Sequence, residues 1–266
     1  MKIITMATLK GGSGKTMNAF NIAGILAEKK KVLLVDVDPQ CNLSSNCGID
    51  IADTSTYTIK DVYDNLPKDQ PAAEDLITKA PIEALPKLDV IPSSIFLFQT
   101  EKNLYTKSDR ERILEKYFIK NAETFEKYDY IIIDTNPSMS FTNVNAFLIA
   151  DEIILSCDVS SNSLTGAELF CSLWDETREE LGKEDNISAL LISNYDGRSN
   201  LAKDLIDFTR ESDFSKDILL DNRINTTVKL KETETSHLPI NKSNPRHPAC
   251  EQYRAVVKEL KKKGVL

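Results

Sequence analysis

Apolar positions along this chain follow two rhythms. Short, nearly unbroken runs of Ile, Val and Leu occur at residues 2–7, 31–36, 88–91, 128–134, 152–156 and 187–193, most of them closing on a polar or acidic residue. Between and after them, residues 18–29, 109–127 (with Ile113, Leu114, Tyr117 and Phe118 on one side), 163–181, 201–212 and 248–263 carry apolar residues at helical spacing. Runs without alternation are strands buried on both faces, the habit of parallel sheets, and helices between them supply the cover. The pattern predicts an α/β fold with a mainly parallel sheet flanked by helices on both faces. A last short strand is predicted at 218–220. Residues 54–104 depart from the rhythm. Short helices at 57–65 and 72–79 are separated by Pro67, Pro71, Pro81 and Pro86, which reads as a helical excursion at the sheet edge.

A chain of 266 residues, 41% hydrophobic, can bury a full core, and 1–266 is expected to form a single domain. The net charge of −8 argues against a surface that coats nucleic acid throughout. The sign is uneven, however. From Arg223 onward ten Lys/Arg face four Asp/Glu, a balance of +6 at the end of an acidic body, which is compatible with a local polyanion site. Five cysteines, Cys41, Cys47, Cys157, Cys171 and Cys250, form no C-x-x-C pair, and their odd number without a signal peptide is expected of free thiols in a reducing cytosol. No apolar run approaches the roughly 20 residues that span a bilayer, so a cytoplasmic protein is expected.

The candidate chemistry starts at Leu9-Lys10-Gly11-Gly12-Ser13-Gly14-Lys15-Thr16, between the first strand and the first helix. A glycine-rich turn into a helix N-terminus aims several backbone N–H groups and the helix dipole at one spot, and places an ammonium and a hydroxyl beside it. The fitting occupant is a nucleoside triphosphate with Mg²⁺. Lys15 would reach the β and γ phosphates and Thr16 would ligate the metal, while Gly11, Gly12 and Gly14 admit the backbone without Cβ clashes; Ser13 and Met17 complete the loop. Two more acidic turns close strands at what should be the same sheet edge, Asp36-Val37-Asp38-Pro39-Gln40 and Asp134-Thr135-Asn136-Pro137-Ser138. Asp134 has the Walker B setting and would hold Mg²⁺ through water.

Leu9 stands where the ordinary P-loop has glycine, and Lys10 is an additional lysine. Lys-Gly-Gly-Ser-Gly-Lys-Thr at 10–16 resembles the deviant Walker A motif of ParA/MinD-class ATPases, and Asp-x-Asp-Pro-Gln at 36–40 is similar to the second motif of the ParA type. The resemblance extends over nearly the whole chain, loosely at 50–103. It implies that Lys10 reaches the nucleotide of the partner subunit, that Asp36 supports the Mg²⁺ shell, and that Asp38 orients the attacking water, so that Lys10, Lys15 and Asp38 are catalytic. It also implies that the turn at 193–200 lies below adenine, with Asn194 and Asp196 contacting base or ribose. The family usually has two prolines after the Walker B acid. Here Asn136 replaces the first, while Pro137, Ser138 and Asn145-Ala146 match.

By this resemblance the chain is a ParA-type partition ATPase without an N-terminal DNA-binding domain, since the P-loop begins eight residues in. The implied cycle is an ATP-bound homodimer on non-specific DNA, nucleoid-associated, whose hydrolysis is stimulated by a ParB-type centromere-binding adaptor. Where the family carries Pro-Arg-Asn this chain has Asn225-Thr226-Thr227, which leaves Arg223, Lys229 and Lys231 as the DNA-binding candidates. Two alternatives stand beside it: a MinD-like ATPase at a membrane surface, and a positioning ATPase acting on a protein scaffold. Residues 248–263 place Tyr253, Val256, Val257 and Leu260 at helical spacing with few large apolar residues, so a core-packing helix without stable membrane association is expected. A nitrogenase-iron-protein-like reductase would need cluster cysteines that Cys157 and Cys171 do not provide.

Overall fold

The computed structural model describes the backbone of residues 1–266 and every side chain except that of Leu201, so the start of the helix predicted at 201–212 is described by its backbone only. The elements run β1 (Lys2–Ala7), α1 (Lys15–Leu26), β2 (Val32–Asp36), α2 (Asn42–Asn46), α3 (Ile59–Asp64), α4 (Ala73–Leu76), β3 (Leu88–Ile91), α5 (Leu97–Leu104) and α6 (Ile113–Lys120). They continue with α7 (Ala122–Phe125), β4 (Tyr130–Asp134), α8 (Phe141–Ile149), β5 (Glu152–Asp158), α9 (Ser161–Glu180), β6 (Ile187–Ser193), α10 (Asn200–Glu211), α11 (Val228–Ser236), α12 (Ile240–Ser243) and α13 (Pro248–Lys262).

Six strands form one sheet in the order β3-β2-β4-β1-β5-β6, and every pairing is parallel. Alternate residues of the strands enter different cores. Ile4 and Met6 of β1 join Val32 and Leu34 of β2 under α1 and α13, whereas Ile3, Leu33 and Val35 join Ile131 and Ile133 of β4 under α3 and α6. A third cluster packs α8 and α9 on β5 and β6. There Phe147 meets Phe170 and Trp174 edge-on, and the buried Trp174 indole N–H donates to Asn186 Oδ1 at 2.9 Å. The runs lack alternation because both faces are covered.

Several predicted elements differ in extent. The segment expected as one helix at 109–127 is a 3-10 turn at Arg110–Arg112 followed by α6 and α7, broken at Asn121, whose side chain donates back to the Tyr117 carbonyl. The helix expected at 72–79 is the single turn α4, because Thr78 pairs with Val90 by both backbone bonds and draws the chain onto β3. Residues 218–220 do not form a strand. Leu219 makes one isolated parallel bridge to Leu190, and the chain then turns away where the Glu259 carboxylate binds the N–H groups of Asp221 and Asn222. The tail helix α13 is a core element: Cys250, Tyr253, Val256, Val257 and Leu260 are buried.

Candidate nucleotide site

The connections from β1 to β2 and from β5 to β6 diverge on either side of the β1–β5 pair, and a crevice opens there at the carboxyl ends of the strands. The glycine-rich loop fills its floor. Gly12 and Gly14 have φ of +80° and +83°, and a Cβ on Gly14 would come within 3.1 Å of Ser193 Cβ, so position 14 needs glycine for both its conformation and the closeness of β6. Helix α1 starts directly from Gly14 with no side-chain cap and no acid in its first turn. Its free N–H groups therefore face a cavity of about 500 Å³ lined by residues 10–18 of the loop and helix. The Oγ of buried Ser13 has no partner.

Behind the loop, the register of β2 and β4 sets Asp36 opposite Asp134. Lys15, nearly fully buried, donates to Asp134 Oδ1 at 3.1 Å and to the Thr135 carbonyl, while Asp134 Oδ2 is buried without a partner. Asp36 is committed elsewhere: Oδ1 accepts the Asp38 N–H, and Oδ2 accepts both the N–H and the hydroxyl of Ser44. Burial, then the neighbouring Asp134 charge, pushes the Asp36 carboxyl up to about 7. Asp38 lines the cavity together with Gln40, Asn42 and Pro137, and burial raises its carboxyl as well. Among the described residues no group of three or more His, Cys, Asp or Glu could hold a metal unaided. An uncapped helix start, a hydroxyl and one orphaned carboxylate oxygen instead suit a metal shared with a triphosphate.

Lys10 also lines the cavity, half-exposed and with partners different from those of Lys15. Its ammonium donates to both oxygens of Asp158 at 3.1 and 2.8 Å and to Ser160 Oγ at 2.7 Å, residues at the end of β5 and the cap of α9. Sequence reasoning did not find this pair, which carries no motif of its own.

The remaining lining of the cavity comes from distant segments. Asn194, in the left-handed conformation at φ 54°, donates to the Gly12 carbonyl at 3.1 Å and lines the cavity. Asp196 does not. Its carboxylate is turned outward to Arg198 by a bidentate pair, at 2.9 and 2.8 Å. Helix α11 supplies the roof: Thr227, Leu230, Lys231 and Glu234, spaced three and four apart, all face the cavity, and Thr233 lies against the sulfur of Met17. Lys231, expected on a DNA surface, lines this cavity while remaining exposed. Arg223 lies over the Tyr195 ring and Lys229 pairs with Glu232, so the structure does not gather these three cations into one free patch.

Residues 1–188 match the family model of an AAA domain. Over its length the chain is 31% identical to the sporulation initiation inhibitor protein Soj of Bacillus subtilis, with 99% of each chain covered. It is 32% identical to the chromosome partitioning protein ParA of Myxococcus xanthus, covering 98% of this chain and 88% of that one. Among solved structures, an ATP complex of Cyanothece McdA superposes with a TM-score of 0.83 at 22% identity over 97% and 95% of the two chains. Cobyrinic acid a,c-diamide synthase of Mycobacterium smegmatis, with an ATP analog and magnesium, gives 0.80 at 20% identity over 98% and 94%. With a lysine-flanked glycine loop, an acidic strand end behind it and full-length kinship to Soj and ParA, the chain belongs to the ParA/Soj family of partition ATPases.

Proposed function

We propose that this ATPase moves or segregates DNA cargo: it dimerises on ATP, binds DNA without sequence preference, and hydrolyses ATP when a ParB-type centromere-binding adaptor engages it. The observation that carries the reading is the convergence of the uncapped α1 start, Lys15 and Asp38 on one cavity, with buried Asp134 bound to Lys15 behind it, in a chain akin to Soj and ParA throughout. Bound Mg²⁺, held by the Thr16 hydroxyl and Asp134 and supported by Asp36 through its shell, would neutralise phosphate charge. Lys15 exchanges its bond to Asp134 for the β and γ phosphates, and loop N–H groups replace the water around them. Asp38 orients the attacking water, so catalysis rests on positioning and charge. Lys10, free of the phosphate floor, reaches the nucleotide of a second copy once it leaves Asp158. Asn194 serves the base or ribose, with the α11 roof opposite.

Cargo positioning in the manner of a protein such as McdA is the second reading. It is favoured by the stacking of Arg223 on Tyr195 and the pairing of Lys229 with Glu232, which leave less free positive charge on the expected DNA surface. Gel shifts with a mixed-sequence duplex at several salt concentrations decide between them. The DNA reading expects binding only with ATP, indifferent to sequence, with log affinity falling linearly in log salt at about 0.9 per phosphate contact. Absence of any ATP-dependent shift at low salt would leave positioning without DNA.

A further inference from the structure

The loop after Asp134 is where this chain departs from the usual double proline of its family, and the structure shows what holds it. Thr135 is tied down by its hydroxyl, which donates to the Met6 carbonyl at 2.7 Å. Beyond it, Asn136, Pro137 and Ser138 bond almost entirely among themselves: the Ser138 N–H donates to the Asn136 carbonyl, and the Ser138 hydroxyl to Asn136 Oδ1. Apart from a bond between Ser138 Oγ and the nearby Ser140 N–H, one side chain links them to the rest of the protein. The Asn143 amide donates to the Asn136 carbonyl at 2.8 Å, to Asn136 Oδ1 at 2.9 Å and to the Ser138 carbonyl at 2.8 Å. Asn143 is fully buried and its own Oδ1 has no partner, so the side chain is spent on this loop alone.

The clamp stands on a fixed base. Glu101 of α5 accepts the N–H groups of Phe141 and Thr142 at the start of α8, and Asn145, one turn along, donates to the Arg110 carbonyl and accepts the Leu114 N–H. The residue between the two clamped ones, Pro137, lines the nucleotide cavity beside Asp38 and Lys15. A proline has no N–H with which to anchor itself, so its place is set by its neighbours.

We propose that Asn143 is a positioning residue for ATP hydrolysis: by gripping Asn136 and Ser138 from the anchored helix α8 it fixes Pro137 at the phosphate end of the site, doing by hydrogen bonds what a second proline would do by restricted dihedrals. The inference rests on the P-loop reading of the cavity. Its substitutions should disturb turnover, and the distinction of ATP from ADP, more than binding of the diphosphate.

The test compares Asn143→Asp, which keeps the shape but removes the donors, and Asn143→Ala with the parent, measuring kcat, KM, calorimetric Kd for ATP and ADP, and Tm. Both variants are expected to lose about tenfold or more in kcat, as small misplacements at reacting centres do, while ADP affinity stays within about threefold. Adding Asn136→Pro to Asn143→Ala should recover turnover, because the second proline restores the loop independently of the amide. Unchanged kcat in Asn143→Asp overturns the inference. So does a loss of kcat that ADP affinity and Tm follow in parallel and that Asn136→Pro does not recover, since that is the signature of a purely structural role. Failure of the P-loop reading shows separately, as a parent chain that binds neither nucleotide, and takes the inference with it.

Discussion

The two ends of the cavity are built on different principles. The phosphate end is almost contiguous in sequence: residues 10–18 and two short acidic turns supply it, and its working parts are backbone N–H groups, glycine conformations and buried charge. The rest of the lining is assembled from Ser193 at the end of β6 and Asn194 beside the loop glycines, then Ile224, Thr226 and Thr227, helix α11 and Tyr253 of α13, and its surfaces are side chains. A triphosphate has one geometry, so backbone can read it and few sequences will serve. A base and ribose offer flat apolar faces that many side-chain combinations can cover, and this chain uses its own.

Substitutions on either side can break that contrast. The largest effect is expected from Lys15→Ala, which removes the buried cation facing the phosphates and leaves Asp134 unpaired; ATP binding by calorimetry should fall by about a hundredfold or more. Asp38→Ala should leave ATP binding intact and slow hydrolysis by about a hundredfold, since the carboxylate aligns water and does not hold nucleotide. Size-exclusion runs with ATP should still show a dimer, and a monomer would contradict the role. At the far end, Leu230→Ala should weaken ATP about tenfold through lost apolar cover, while inorganic tripolyphosphate binds as it does to the parent. Equal losses for both ligands would mean that the two ends are not separable.

The smallest effect lies outside the cavity and serves as a control. Glu28, in the turn just after α1, takes a bidentate pair from Arg254 of α13 at 2.9 and 2.7 Å, and that bond, with Asn241 beside it, lowers the Glu28 carboxyl below its ordinary range. A lowered folded-state value means the unfolded chain binds the proton more readily. The stability is therefore present above the ordinary Glu value and is lost as pH falls through the folded one. Glu28→Gln should cost about 1 kcal/mol or less near neutral pH and progressively less in acid, with nucleotide affinity unchanged. Thermal unfolding at a series of pH values would measure it.

The same contrast governs what could be read in the sequence. The sheet was legible because each strand is covered on both faces and reads as an apolar run. The loop at 10–16, Asp36, Asp38 and Asp134 were legible because their chemistry demands a fixed order. Asp158 and Ser160, which hold Lys10, were not, since an acid at a strand end and a serine at a helix start are ordinary residues until the fold brings them to a lysine some 150 positions away. Lys231 was picked out by composition, since net charge located a basic tail, whereas its place at the cavity came only from the helical phase of α11, which leaves it exposed there. Asp196 misled through spacing, because Asn-x-Asp also suits a turn in which the acid pairs with its own neighbour, Arg198. Asn143 left no trace, as a buried asparagine in an apolar helix declares its partners only in three dimensions.

Trp174, fully buried, is the sole tryptophan of the chain. It packs on Phe147, in the helix whose first turn holds the Asn143 clamp, yet it sits on a different core layer from the P-loop helix α1. The protein thus carries a built-in optical probe of one helix. Its ultraviolet emission arises from a single dry environment and reports on α8 without a label. Stopped-flow mixing with ATP or ADP can follow that emission in the native chain, and in each Asn143 variant, with no foreign group near the loop under study.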